Sequence, residues 1–270
     1  MQMKALEEEL GVPLFDRSKR PPILTENARA MLPEVKALVN NYERLGRRAD
    51  EAPAMKGHLR LGAVPSVITG TLPAAIAALR QKHPGIHVEI SMALSAELVE
   101  RVRRRRLDAA IVSELGKVPS GLVWSPFARE PLVLIAPPDA PARAAGELLA
   151  TYPFIRYSQQ AWVGRLIHAT MKRRRIKVRE AMTLDTLEAV TAMVSNGLGV
   201  SIVPDRGPDV GFAFPVRAMT LPGPKVHRVV GLLRPVEHAK ASLADALLAE
   251  LARLGAERGQ QRRRSRKLKT

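Results

Sequence analysis

Residues 184–204 read LDTLEAVTAMVSNGLGVSIVP. Apolar residues at helical spacing carry a helix from Thr186 to about Asn196, and Gly197 stands where a helix end favours a left-handed backbone. Val200–Val203 then reads as a short buried strand, and Pro204 stops it. A helix handed straight to a buried strand is half of a strand–helix repeat.

The repeat extends in both directions. Upstream, Leu59–Val64 is a strand and Leu72–His83 a helix, with Pro73 in its first turn and Pro84-Gly85 after it. Ile86–Met92 is a strand, and Ser95–Arg106 a helix with Ser95 as its N-cap. Ala109–Ser113, Leu132–Ala136 and Phe154–Tyr157 are strands, and Trp162–Arg174 is a helix. Downstream, Val229–Leu233 is a strand and Ala241–Leu254 a closing helix. Strands alternating with helices imply parallel sheets covered on both faces.

The N-terminal part has another character. Met3, Leu6 and Leu10 have helical spacing, with Gly11 as C-cap. Leu14-Phe15 and Ile23-Leu24 flank the polar turn Asp16–Pro22, a small hairpin with Arg17, Lys19 and Arg20 at or near its tip. Thr25 caps a helix reaching about Ala52, whose apolar residues step by three and four through Ala28, Met31, Leu32, Val35, Leu38, Val39, Tyr42 and Leu45. A seam so narrow packs on another helix, either its own copy or the body of the chain. Pro33 kinks this helix or marks a tight early turn. Glu51–Gly57 reads as a hinge.

The chain has 270 residues, 43 Lys+Arg against 26 Asp+Glu, a net charge of +17, and no cysteine. Disulfides, thiol catalysis and Cys-based zinc sites are excluded. The excess charge lies in residues 57–254 (+10) and 255–270 (+6), leaving +1 for residues 1–56. Residues 255–270 read as a disordered basic tail, and a basic chain favours polyanions such as nucleic acid. No apolar run reaches the ~20 residues of a spanning helix, and Met1–Glu9 has no secretory h-region, so a cytoplasmic protein away from membranes is expected. The six histidines lack metal-site spacing, and no phosphate-binding loop or nucleophile elbow occurs. No enzyme activity, metal or cofactor is therefore expected.

What remains is binding. In open α/β sheets, ligands sit beyond the carboxyl ends of strands, where helix N-termini offer free N–H groups. Pro65-Ser66, Leu94-Ser95 and Tyr157-Ser158-Gln159 occupy such positions and suit a small carboxylate. Five arginines within Arg101–Arg106 favour an anion, or simply match the helix dipole.

Three stretches resemble the LysR-type transcriptional regulators. They are Lys4–Arg17 with Leu24-Thr25-Glu26, Leu107–Val112, and the opening segment from Leu184 to Pro204. The resemblance covers residues 1 to about 254. It implies an α/β effector-binding domain of two doubly wound subdomains, similar to type II periplasmic binding proteins, after a partial winged helix and a long linker helix. Residues 1–24 would be the end of the recognition helix and the wing, and 25–56 the dimerising linker and hinge. Residues 57–127 with 228–254 would form one effector subdomain, and 128–227 the other. The match begins inside the recognition helix, so ~25–35 residues of the family pattern precede it, and the winged helix reads as N-terminally truncated. Leu6, Leu10, Leu14 and Phe15 are then expected to be partly exposed.

The resemblance places Ser66, Ser95, Tyr157, Ser158 and Gln159 at effector contacts, with Thr186 a further cleft residue. It places Gln2, Lys4, Arg17, Lys19 and Arg20 at DNA. The implied protein is a homodimeric or tetrameric DNA-binding regulator gated by a small anionic molecule. The alternatives are an effector-binding module or dimer partner without DNA binding, and a solute-binding protein.

Overall fold

A computed structural model describes residues 2–18, 21–32, 34–35 and 55–267. Lys19, Arg20, Pro33 and the seam positions Leu38, Val39, Tyr42 and Leu45 lie outside the described residues, as does most of the expected hinge. The chain divides into two units, Met1–Pro53 and Ala54–Thr270.

In the first unit, α1 spans Gln2–Leu10, and Gly11 follows with φ of +69°. Strand β1 (Phe15–Asp16) pairs antiparallel with β2 (Ile23–Leu24). Thr25 then opens a helix, α2, described over residues 26–32. Its Oγ1 accepts the Ala28 N–H at 3.2 Å and donates to the Pro13 carbonyl at 2.8 Å, so one side chain caps the helix and fixes the hairpin's root. Glu7 does the corresponding work from α1. Its carboxylate accepts the N–H groups of Leu14 (2.7 Å) and Phe15 (3.0 Å) and pairs with Arg17 (2.8 Å). The Leu14 and Phe15 N–H groups, with Arg17, hold its pKa below the ordinary value. Leu14 is buried, contrary to expectation, because Glu7 draws that stretch of backbone against α1; Met3, Leu6 and Leu10 are exposed. Along the α2 seam Ala28 is buried and Leu32 and Val35 are exposed.

The second unit has two hydrophobic cores. The first is built on β3 (Gly57–Ala63), β4 (Ile86–Met92) and β5 (Ala109–Ser113), which are parallel, with β3 in the middle. Helices α3 (Pro65–Ile68), α4 (Leu72–Lys82) and α5 (Ser95–Arg103) connect them, and Leu59, Leu61, Leu72, Leu79, Leu98 and Ile111 fill the core. The second core gathers around α6 (Ala145–Thr151), β7 (Pro153–Tyr157), α7 (Trp162–Arg173), β8 (Arg179–Leu184), α8 (Leu187–Ser195) and β9 (Ser201–Pro204). Here β7 and β8 are parallel, and Phe154 bridges in parallel to Val200 at the entrance of β9.

Two strands join the halves. β6 is 15 residues long, Leu122–Ala136, and β11 runs His227–Pro235. They pair antiparallel from Pro131↔His227 to Leu122↔Pro235, and β11 also pairs with β5. The far end of β6 enters the second core, where β9 and β10 (Arg217–Thr220) flank it antiparallel. The sheets are therefore mixed, where strand–helix alternation implied parallel ones. A chain that crosses between halves and returns must pass each sheet in the opposite sense.

Other differences have local causes. Ser95 is the first residue of α5, and Leu94 occupies the cap position without a side-chain bond. Helix α9 runs Ala241–Lys267, so residues 255–267 continue it instead of forming a separate disordered tail. That stretch has no proline and is rich in Arg, Gln and Lys, which propagate a helix well once packing has nucleated it. Gly197 (φ +79°) ends α8 as expected, with the Leu198 N–H reaching back to the Met193 carbonyl at 3.1 Å. Gly164 lets α7 approach the preceding turn, since a Cβ there would stand 1.9 Å from the Ser158 carbonyl oxygen.

Asp108 pins the edge of the first half. Only 1% exposed, it accepts the Arg60 N–H (2.8 Å), the Arg60 guanidinium (2.9 Å) and the Lys240 ammonium (2.8 Å), and His238 lies 3.3 Å away. Burial alone would raise its pKa, but the hydrogen bonds from Arg60 and Lys240 outweigh burial and lower it. A carboxylate held below its unfolded pKa contributes stability above about pH 4, and loses it as pH falls. Asp108→Asn should cost about 2–3 kcal/mol at pH 7 by urea unfolding. The gap to the unsubstituted chain should narrow steadily as pH is lowered toward 3.

Candidate functional site

The carboxyl ends of the parallel strands from both halves converge on one cleft. From the first half come Pro65 and Ser66 after β3, Leu94 and Ser95 after β4, and Ser113 at the end of β5. From the second come Tyr157 at the end of β7, Trp162 and Val163 opening α7, and Asp185 after β8. Arg228, near the start of β11, completes the lining. The enclosed volume is about 20 Å³, room for about one water molecule, so the cleft is closed in this conformation.

Arg228 is the charged centre. It is 3% exposed and donates from Nε to Ser113 Oγ (3.0 Å) and from one terminal nitrogen to Ser66 Oγ (2.8 Å). The same nitrogen lies 3.3 Å from Glu130, a buried carboxylate on β6. Ser95 Oγ accepts the Ser113 N–H at 3.4 Å, so three serines and one guanidinium form a connected set. Strand β11 carries Arg228 to this point because its next residues, Val229–Leu233, are anchored in the first core and between its neighbouring strands. Across the cleft, Tyr157 is buried. Burial pushes its pKa up to about 12; Glu188 and Asp185 add to this, while Arg228 and Arg206 oppose it. It therefore stays protonated at neutral pH and can donate a hydrogen bond.

A second arginine ties the halves together. Arg206, after β9, donates to the Ser66 carbonyl (3.1 Å) and Thr69 Oγ1 (2.8 Å) in the first half, and lies 3.3 Å from Glu188 on α8. Thr69 in turn donates to Glu188 at 2.5 Å. Arg206 also reaches the Gly211 carbonyl at 3.2 Å, while its Nε is buried without a hydrogen-bond partner among the described residues.

The residues singled out from sequence fall into distinct places. Ser66, Ser95 and Tyr157 line the cleft together. Ser158 accepts the Gln160 N–H at 3.3 Å, Gln159 is exposed, and neither lines the cavity. They belong to the turn that feeds α7. Thr186 also stays outside the lining; its hydroxyl accepts the Ala189 N–H at 3.2 Å and caps α8. Gln2 and Lys4 lie on α1, and Arg17 is spent on Glu7. Arg101, Arg103 and Arg104 pair with Glu97 and Glu100 on their own helix and take no part in the cleft lining. Sequence reasoning missed Ser113, Asp185, Arg228, Glu130 and Arg206. Ser113 and Asp185 follow strands, so the strand-end rule could have found them. Arg228 and Glu130 each stand just before an apolar strand run, the signal of a charge carried into a core.

A family model for the LysR substrate binding domain matches residues 54–256, the strands and helices that build both halves of this cleft. The chain belongs to the LysR family. Among relatives, a probable RuBisCO transcriptional regulator of Cyanidioschyzon merolae is 27% identical, the match covering 75% of this chain and 70% of that one. The transcriptional activator IlvY of Salmonella typhimurium is 28% identical, with 76% and 71% covered. Among solved structures, the effector binding domain of QuiR in complex with shikimate superposes with a TM-score of 0.63 at 19% identity, covering 75% of this chain and 99% of that one. Full-length OxyR from Pseudomonas aeruginosa gives 0.63 at 22% identity, covering 92% and 87%. These last two establish the fold: the two-lobed effector domain of LysR regulators, of the type II periplasmic-binding-protein kind. Among the described residues no helix is long and apolar enough to cross a membrane.

The buried Arg228–Glu130 pair has a measurable signature. Arg228→Met alone strands a buried carboxylate and should cost about 3 kcal/mol in urea unfolding. Adding Glu130→Leu should restore most of that loss, giving a favourable coupling in the double-mutant cycle.

Proposed function

We propose that this LysR-family chain is a transcription regulator whose cleft binds a small organic anion. The observation that carries the reading is the buried Arg228 between Ser66 and Ser113, at the meeting point of strand ends from both halves. A guanidinium with flanking hydroxyls suits a carboxylate, and the first turns of α5 and α7 add backbone N–H groups. Shikimate, the molecule in the QuiR complex, is a small hydroxylated carboxylate. Relatives named as transcriptional regulators support the regulatory role.

The closed cleft sets the mechanism. A ligand larger than water enters only when the halves part, which loosens Arg206 from Ser66 and Thr69. The ligand then favours whichever degree of closure gives it better contacts, and shifts the population accordingly. In this reading the seam of α2 meets a second copy, making a homodimer or tetramer. The α1–hairpin unit meets DNA, with Gln2 and Lys4 on the helix and Arg17, Lys19 and Arg20 along the wing.

Calorimetric titration against a panel of small carboxylates, shikimate among them, tests the cleft. At least one acid should bind, with affinity falling ~10-fold or more in Ser66→Ala and further in Arg228→Gln, as for lost hydrogen bonds to a charged group. Binding that ignores both substitutions overturns the assignment.

The wing has its own test. Lys19→Ala and Arg20→Ala should each weaken binding to every duplex and flatten the salt dependence by about one counterion. A changed sequence preference would instead make them base readers.

A further inference from the structure

Besides the basic residues at the C-terminal end of the chain, two runs of basic side chains stand in the effector domain, and the structure treats them differently. In Arg101–Arg106, three arginines are neutralised on their own helix by Glu97 and Glu100. In the stretch from Lys172 to Arg179, six of eight residues are basic and none is acidic. Arg174 turns inward and donates to the carbonyls of Pro222 and Pro224. The other five, Lys172, Arg173, Arg175, Lys177 and Arg179, are exposed, with no side-chain hydrogen bond or ion pair among the described residues. The one neighbouring carboxylate, Glu180, is taken by Arg156.

The backbone adds a second observation. Arg175 has φ of +52°, in the left-handed turn that ends α7, where the Ile176 N–H reaches back to the Met171 carbonyl at 3.0 Å. That position favours glycine, and here it holds a cation whose side chain projects into solvent. From it the chain passes through Lys177 to Arg179 at the head of β8, an edge strand paired only with β7 among the described strands. The result is a continuous ridge of positive charge on the second half of the effector domain, apart from the cleft lining.

We propose that this ridge binds the phosphate backbone of duplex DNA, giving the effector domain a sequence-independent contact of its own. The inference rests on reading the chain as a DNA-associated regulator. Duplex DNA fits the ridge better than a small anion does. The five cations spread along the end of α7, the turn after it and the head of β8, and a polyanion of regular charge spacing can meet several of them at once. Each contact releases counterions, so binding would be steeply salt-dependent and indifferent to sequence.

The test compares two triple variants of the full chain that change net charge equally. One removes ridge cations: Arg173→Gln, Arg175→Gly and Lys177→Gln. The other removes paired arginines: Arg101→Gln, Arg103→Gln and Arg104→Gln. Binding to a random-sequence 40-base-pair duplex is followed by fluorescence anisotropy from 50 to 200 mM salt. The ridge variant should lose at least tenfold in affinity at low salt, and its log–log salt slope should fall by about two to three. The paired-arginine variant should keep its slope within about one of the unsubstituted chain. Arg175→Gly by itself should melt no lower than the parent, which separates lost contact from lost fold.

Equal losses in both variants would mean a net-charge effect and overturn the proposal, as would no loss in either. A ridge variant that keeps duplex binding but loses binding to polyglutamate or to phosphatidylserine vesicles would overturn it in favour of an acidic protein or a membrane surface. The carboxylate titration reads the cleft independently, so failure of the ridge leaves the assignment of the cleft standing, and the reverse.

Discussion

A guanidinium buried where the chain passes between its two cores constrains much of this structure. Isolated, Arg228 would be costly, since several kcal/mol attach to each ion moved out of water. It is tolerated because Glu130 lies beside it and Ser66 and Ser113 accept from it. Those partners come from three places in the sequence: the start of α3 just after β3, the end of β5, and the middle of β6. Satisfying one side chain therefore fixes the register of the crossing strands and the position of two strand ends. The same side chain lines the cleft, so the group that organises the crossing also puts a positive charge in its wall.

Arg206 works differently. Its partners in the first half are a backbone carbonyl and the Thr69 hydroxyl, and Glu188 is its charged neighbour within the second half. Hydrogen bonds from a charged guanidinium to neutral acceptors contribute about 1.5–3 kcal/mol each. Such a tie can hold a closed state without locking it. The buried and unpartnered Arg206 Nε leaves the clasp short of full satisfaction, which lowers the cost of opening.

Much of the fold was legible because its signals were local. The spans of β4 and β5 were read to the residue, and the ends of α4 and α7 to within one. Gly197, Pro204 and Pro73 punctuate their elements by steric rules that need no tertiary context. The strands that escaped are those whose pairing is set from a distance. β8 and β10 show too little apolar alternation to announce themselves, and the first part of β6 contains Pro126, opposite the irregularity at Val230/Gly231. For the site, the rule that ligands gather at strand ends picked Ser66, Ser95 and Tyr157, which the structure brings together. It also picked Ser158 and Gln159, which lie outside the lining of the closed cleft. The buried arginine was harder to read, since an arginine before an apolar run reads equally as a surface residue until its partner, 98 positions away in the case of Glu130, is known.

Net charge was the coarsest signal, and geometry divides it. Arginines that share a helix face with glutamates are already satisfied, while Arg173, Arg175 and Arg179 on the ridge have no carboxylate partner among the described residues. A similar division applies inside the cleft, where Arg228 is buried but only partly matched by Glu130 at 3.3 Å. An anion arriving there does not meet a bare charge. It must improve on hydrogen bonds that Ser66 and Ser113 already supply, and it must do so better in one state of closure than in the other. A molecule that merely neutralises Arg228 gains little. One that also reaches the Tyr157 hydroxyl and the first turn of α7 draws on groups from the opposite half. In the proposed reading, selectivity for a ligand and control of closure therefore depend on the same contacts, those made across the cleft.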